Sequence, residues 1–150
     1  MKIRRADQSD YFACVKLIPK EWGGGSGARE ARLGMQLYKE YVFVAVNDQK
    51  EILGYLACDA DFFDEDGFYL RTIIVNEKER RKGIGEALVR HAMDWAFTRG
   101  ARRIFADVLN EQFGKLLVTK GGFEKSGEIK HMHAEGVTFS IYSKKYEPKK

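Results

Sequence analysis

Ile73-Ile74-Val75-Asn76-Glu77-Lys78-Glu79-Arg80-Arg81-Lys82-Gly83-Ile84-Gly85-Glu86-Ala87-Leu88 is the stretch on which the fold turns. Its opening residues are the β-branched end of a strand. Its middle is a basic turn, and from Ile84 onward Ala87, Leu88, Ala92, Trp95 and Ala96 recur at helical steps, with Gly100 placed as the C-terminal cap. Glycines at a helix start let a ligand come close to the backbone. The unpaired N–H groups of the first turn and the positive end of the helix dipole favour an anion there. With Arg80, Arg81 and Lys82 beside Gly83 and Gly85, the stretch describes a cradle for a diphosphate.

Two familiar phosphate-binding patterns fit poorly. A P-loop needs Gly-Lys-Ser/Thr, whereas Gly85 is followed by Glu86-Ala87. The dinucleotide fingerprint wants a small residue where Leu88 stands and a turn much shorter than Asn76 to Lys82, although Asp107 lies on the next strand.

Outward from this segment, Phe68 to Val75 is a strand, preceded by the pair Val42–Val46 and Ile52–Cys58 joined through the turn Asn47–Lys50. Toward the N-terminus, Ile3–Ala6 reads as a strand and Ser9 as the N-cap of a helix carrying Tyr11, Cys14, Val15 and Ile18, stopped by Pro19. A second helix is expected over 29–40, with Leu33, Leu37 and Tyr38 on one side. Between these helices Trp22 and the run Gly23-Gly24-Gly25-Ser26-Gly27 read as a mobile substrate-side loop. Toward the C-terminus come a strand from Arg103 to Leu109, a helix from Gln112 to Lys120 ended by Gly121-Gly122, a strand opened by Phe123, and a last strand with Val137, Phe139 and Ile141 alternating. The order is that of an α/β (α+β) fold, a mixed, mostly antiparallel central sheet flanked by about four helices, in one domain over 1–150.

A chain of 150 residues can bury about 68–70% of its unfolded surface, enough for a core without staples. At 44% hydrophobic and 32% charged it lies outside the disordered class. Cys14 and Cys58 have no metal or disulfide spacing and read as buried thiols in a reducing compartment. No metal is expected. The longest apolar run, Tyr41 to Val46, cannot span a bilayer, and no leader is recognised, so a cytoplasmic protein without a membrane partner is expected. The net charge of +4 is interrupted by acidic residues and no nucleic-acid motif appears, so no nucleic-acid partner is expected. Exposed late strands are compatible with a homodimer. His91 falls on the apolar stripe of the long helix and reads as a core or boundary residue.

Arg80-x-x-Gly83-x-Gly85 resembles the motif of the GNAT superfamily of acetyl-coenzyme A-dependent N-acetyltransferases. The likeness extends to Ile3-Arg4-x-Ala6 with Asp10, to the spacing from Val75 to Arg80, to Lys120-Gly121-Gly122-Phe123 and to Phe139-x-Ile141. It implies acetyl-CoA as cofactor and a small-molecule or peptide amine as acceptor. The backbone of Ile73 and Val75 is expected to pair with the pantetheine arm, and the N–H at or beside Ile74 or Val75 to act as an oxyanion donor. Arg80, Arg81, Lys82, Gly83, Ile84 and Gly85 are expected to hold the pyrophosphate, and Asn110, Phe113 and Lys115 to touch the cofactor's far side.

Two positions depart from the family pattern. Val118 stands where many members carry an acid tyrosine, and Tyr69 where the histone-modifying branch carries a glutamate base. An ammonium of pKa about 10.4 must still lose a proton. Asp61 and Tyr69 are the chosen catalytic candidates, with Asp59, His131 and His133 beside them. The acidic stretch Asp59, Asp61, Asp64, Glu65, Asp66 suggests a cationic acceptor. Neither cysteine has a nucleophile's setting, so direct transfer is expected. A coenzyme-sensing module without turnover is the alternative.

Overall fold

The computed structural model describes residues 1–19, 34, 37, 41–60, 66–131 and 135–147. Seven strands form one sheet: β1 (Lys2–Arg5), β2 (Val42–Val46), β3 (Ile52–Ala60), β4 (Gly67–Val75), β5 (Arg103–Val108), β6 (Glu124–Lys130) and β7 (Thr138–Lys145). Their order is β1-β2-β3-β4-β5-β7-β6, with β4 and β5 parallel and the β1–β2, β2–β3, β5–β7 and β6–β7 neighbours antiparallel. Three α-helices lie among the described residues, Tyr11–Lys16, Ile84–Thr98 and Glu111–Thr119. The mixed, mostly antiparallel α/β class read from the sequence is the observed one. Of the helix expected over 29–40, Gly34 and Leu37 are described and both are helical; the rest lies outside the described residues, as does the glycine run 23–27 with Trp22.

Contacts divide the chain into two compact units, Met1–Asp59 with Thr72–Ala92, and Ala60–Arg71 with Met93–Lys150. In the first, Val42, Val44, Val46, Tyr55, Ala57 and Ile74 bury with Ala6, Cys14 and Leu37. Every residue of β2 is buried, which is why it reads as a continuous apolar run rather than an alternating one. Gly54 is needed here. A Cβ on it would stand 2.8 Å from the Ile74 carbonyl oxygen and 3.2 Å from Val75 Cα. Only a residue without a side chain leaves room for that approach.

In the second unit β5 alternates buried and exposed residues, with Ile104, Ala106 and Val108 inward. The short helix Glu111–Thr119 contributes Leu117 to that core, and the chain turns away after it through Gly122, whose φ of 70° suits glycine. Lys144 Nζ donates to the Gly121 carbonyl at 2.8 Å, placing a cation at the helix C-terminus. Phe68 meets Trp95 edge-on at 5.6 Å. No helix of the described residues is long and apolar enough to cross a membrane, and among them no cluster of His, Cys, Asp and Glu could hold a metal ion.

The N-terminal cap differs from expectation. Ser9 lies inside a 3-10 turn, Gln8–Asp10, and the capping residue is Asp7, whose carboxylate accepts the Ser9 N–H at 2.8 Å. Asp10 closes the box by accepting the Asp7 N–H at 2.9 Å, an Asp-x-x-Asp version of the reciprocal cap. Asp10 is buried, and Arg4 from β1 reaches it through two bonds of 2.7 and 3.0 Å. The hydrogen bond from Arg4 holds the Asp10 carboxyl below the usual carboxylate range. A depressed folded-state pKa gives stability that is present above the unfolded pKa and lost as pH falls through the folded one. Asp10→Asn should therefore cost about 1–3 kcal/mol at neutral pH. The gap to the wild type should narrow in acid as the wild-type carboxylate protonates, as urea unfolding across a pH series would measure.

Candidate functional site

β4 ends in a turn built by short-range bonds. Asn76 N–H donates to the Leu53 carbonyl at 2.8 Å, and Asn76 Oδ1 accepts the Lys78 N–H at 3.2 Å, capping the 3-10 turn Glu77–Glu79. Arg80 Nε folds back to donate to the Val75 carbonyl at 3.2 Å, and its guanidinium lies 3.8 Å from Glu77. Lys82 pairs with Glu79 at 2.7 Å. Glu77 and Glu79 thus compensate two of the turn's three cations locally. Arg81 makes no ion pair among the described residues and sits at φ 65°, a conformation uncommon for a residue with a side chain.

Gly83, at φ 79°, turns the chain into the long helix, and its carbonyl accepts the Ala87 N–H at 3.0 Å. Having no side chain, it leaves the N–H groups of Ile84, Gly85 and Glu86 without a side-chain cap from the residue that starts the helix. Gly85 follows for another reason. Its φ is not left-handed, and a Cβ on it would make only ordinary contacts, 3.7 Å to Ile73 Cδ1 and 3.9 Å to Val75 Cγ2. Packing does not demand glycine there. What its missing side chain leaves open is space above the helix's first turn, beside the end of β4, where donors and dipole favour an anion. Ile73, Ile74, Val75 and Arg80 to Gly85 are thus brought together in the first unit.

Asn110, Phe113 and Lys115 belong to the second unit. The Asn110 side-chain oxygen caps the short helix, accepting from Gln112 at 2.9 Å and Phe113 at 3.2 Å. Asn110 and Lys115 line a cleft of about 270 Å³ with Val108, Leu109, Ser140 and Tyr142. Tyr142 was not singled out from sequence. A Cβ on Gly114 would stand 2.5 Å from its hydroxyl oxygen, so the tyrosine rests against the helix where that glycine opens it. The available signal was a glycine in mid-helix, a costly choice that called for a close neighbour.

Among the catalytic candidates, Tyr69 is half-buried on β4, its ring centroid 5.5 Å from that of Phe105 and the Arg71 guanidinium carbon 4.7 Å from its centre. Asp61 and His133 lie outside the described residues. His131 is a turn residue at φ 58°, its Nδ1 accepting the Gly136 N–H at 2.7 Å. His91 packs edge-on to Phe43 at 5.2 Å, the boundary role expected of it. Val118 is 44% exposed and brings no titratable group. Both cysteines are buried; burial pushes the Cys14 thiol up to about 12 and raises that of Cys58 further, which disfavours the thiolate a nucleophile needs.

A model of the acetyltransferase (GNAT) family matches residues 11–116. The chain belongs to the GNAT acetyltransferase family. A streptothricin acetyltransferase of Streptomyces lavendulae is 32% identical over 96 residues, 64% of this chain and 49% of that protein, so the alignment spans about half the relative's length. Two solved structures share the fold. A GNAT-family acetyltransferase from Bacillus cereus superposes with a TM-score of 0.77 at 23% identity, covering 98% of each chain. A phosphinothricin acetyltransferase from Sinorhizobium meliloti, in complex with AcCoA, superposes with a TM-score of 0.81 at 18% identity, over 96% of this chain and 87% of that one.

The Tyr142–Gly114 contact can be tested alone. Gly114→Ala improves helix propensity by about 1 kcal/mol, yet it should lower stability by about 1–3 kcal/mol because the methyl overlaps the phenol. Tyr142→Phe in the same chain should recover part of the loss, read as a coupling energy in a double-mutant cycle of thermal melts.

Proposed function

We propose that this GNAT-family chain is an N-acetyltransferase that moves the acetyl group of acetyl-CoA directly to an amine of a small molecule. The observation that carries the reading is Gly85, a glycine that packing does not require, in the uncapped first turn of a helix that follows the cofactor-family strand. In this reading the first-turn N–H groups and Arg81 hold the pyrophosphate, while the backbone at the end of β4 orients the pantetheine arm and donates an N–H to the thioester carbonyl. Acetyl-CoA supplies an activated acyl group. Asn110, Phe113 and Lys115 are assigned to its far side.

The chain's own task is the proton. Tyr69 and Asp61 are proposed to take it from the acceptor, directly or through water, and solvent reprotonates the departing thiolate where Val118 offers no acid. Relatives named for streptothricin and phosphinothricin support a small-molecule acceptor. The acidic stretch from Asp59 to Asp66 supports a cationic one. The buried free thiols suit a cytoplasmic setting.

Thiol release from acetyl-CoA over a panel of cationic, neutral and acidic amines tests the reading, and turnover with cationic small molecules is the expected result. Binding without release for any amine would leave a coenzyme-sensing module instead. Gly85→Ala should keep the wild-type melting behaviour and raise KM for acetyl-CoA about tenfold, a loss of about 1.4 kcal/mol in binding. In a pH–rate series, Tyr69→Phe or Asp61→Asn should remove the titration of the residue that serves as base and lower kcat by about 10²-fold or more. Wild-type profiles from both variants would take the base elsewhere.

A further inference from the structure

The cleft of about 270 Å³ beside the short helix has a floor of hydroxyls and a rim of charges. Strand register makes it so. On β7, Ser140 stands between Val108 of β5 and Glu128 of β6, and Tyr142 between Ala106 and Lys125. The irregularity between Lys125 and Gly127 brings Lys125 to the same side of β6 as Glu128, where the two pair at 2.7 Å. Ser126, the extra residue, bonds instead to Ser143. The hydrogen bond from Glu128, and more weakly the field of Glu111, raise the Lys125 pKa.

Several groups on this cleft are left with bonds to make. Glu111 and Lys115 stand one helical turn apart with the acid first, the order that pairs best on a helix. In the same arrangement on the long helix, Glu86 and Arg90 do pair, at 2.7 Å. Glu111 and Lys115 do not, and neither makes an ion pair with another described residue. The hydroxyls of Ser140 and Tyr142 have no hydrogen-bond partner among those residues, and Asn110 caps the helix through its oxygen while its amide N–H groups stay unused. Leu109, apolar yet 61% exposed, lines the cleft beside Val108.

We propose that this cleft binds a free aliphatic α-amino acid as a second ligand, distinct from the coenzyme. Its charged rim, Glu111 and Glu128 against Lys115 and Lys125, sums to zero and suits a ligand of no net charge. A zwitterion answers both unpaired groups at once. Its carboxylate takes Lys115 and the hydroxyls of Tyr142 and Ser140, its ammonium takes Glu111, and its side chain lies against Val108 and Leu109. A plain carboxylate would leave Glu111 unanswered, and a plain amine Lys115. Helix geometry separates this site from the coenzyme. Phe113 and Lys115, both expected from the family resemblance to touch the coenzyme, are two residues and therefore about 200° apart round the helix, so one ligand on one side does not meet both. Lys115 lines the cleft and Phe113 does not. The cleft takes Lys115, Phe113 stays with the coenzyme, and the site stands whether or not the chain transfers acetyl groups.

Isothermal titration calorimetry of the whole chain with L-leucine is the test, beside isocaproate, which lacks the amine, and isoamylamine, which lacks the carboxylate. Leucine should bind, and each half-ligand should bind at least about tenfold more weakly. Lys115→Gln and Glu111→Gln should each weaken leucine about tenfold or more, with far-UV circular dichroism checking that each variant folds. Saturating coenzyme A should leave the Kd for leucine unchanged, and leucine should be recovered unacetylated after incubation with acetyl-CoA. No heat of binding with leucine, a half-ligand that binds as tightly, or a variant that binds like the wild type would overturn the proposal. So would exclusion of leucine by coenzyme A, which would return the cleft to the coenzyme, or acetylation of leucine, which would make it an acceptor.

Discussion

The end of β4 governs the candidate site. Within about a dozen residues the chain must leave a strand, reverse, and begin a helix whose first N–H groups receive no side-chain cap from Gly83. Gly54 lets β3 lie against Ile74 and Val75 closely enough to fix where β4 stops, and Asn76 ties that stopping point to Leu53. Arg81 and Gly83 then take left-handed conformations that aim the helix. A side-chain cap in place of Gly83 would satisfy the helix from within and remove its attraction for an anion. The long helix thus starts on a residue that cannot cap it, in contrast with the short helix, where Asn110 supplies a cap.

Charge follows the same division. Taken along the sequence, Arg80, Arg81 and Lys82 look like a block of positive potential. In three dimensions Glu77 and Glu79 lie one turn away and draw on two of them, and Arg80 also braces the Val75 carbonyl. Exposed pairs of this kind contribute little stability, but they orient the turn. The uncompensated positive features of the turn are then the backbone donors, the helix dipole and Arg81, which makes no ion pair among the described residues. Main-chain donors on a rigid helix are already in place before a ligand arrives, which is the economy of this arrangement.

Features that depend on neighbours in sequence were legible: the glycine turn and long helix, the β2–β3 hairpin around Asn47, and the halt at Gly121-Gly122. The capping error at Ser9 was local too. Asp7-x-x-Asp10 carries the reciprocal spacing, and the hydroxyl residue between them mimics a cap two residues too late. Illegible features join distant segments. Nothing near Gly114 announces Tyr142, and the insertion of β7 between β5 and β6 is a long-range pairing that periodicity does not encode. The residues proposed to hold the cofactor lie close together in sequence, whereas the proposed catalytic ones do not.

That asymmetry bears on the missing acid at Val118. A lysine-like ammonium with a pKa of about 10.4 lies roughly 3.4 units above pH 7, a deficit of about 4.6 kcal/mol before attack can begin. A thiol of pKa about 8.5 lies far closer to the surrounding pH, so its conjugate base leaves readily and water can return the proton. Losing the acid is the smaller loss by about 2.6 kcal/mol, and a chain with Val118 can still turn over provided the amine's proton has somewhere to go. The pressure on this fold therefore falls on the base side. Tyr69, half-buried with a guanidinium over its ring, is the described candidate there. A carboxylate of the acidic segment would instead act through a water and the favourable field of its negative charge. Which of the two serves is decided by whether the acceptor arrives already bearing a cation that an acidic segment would hold.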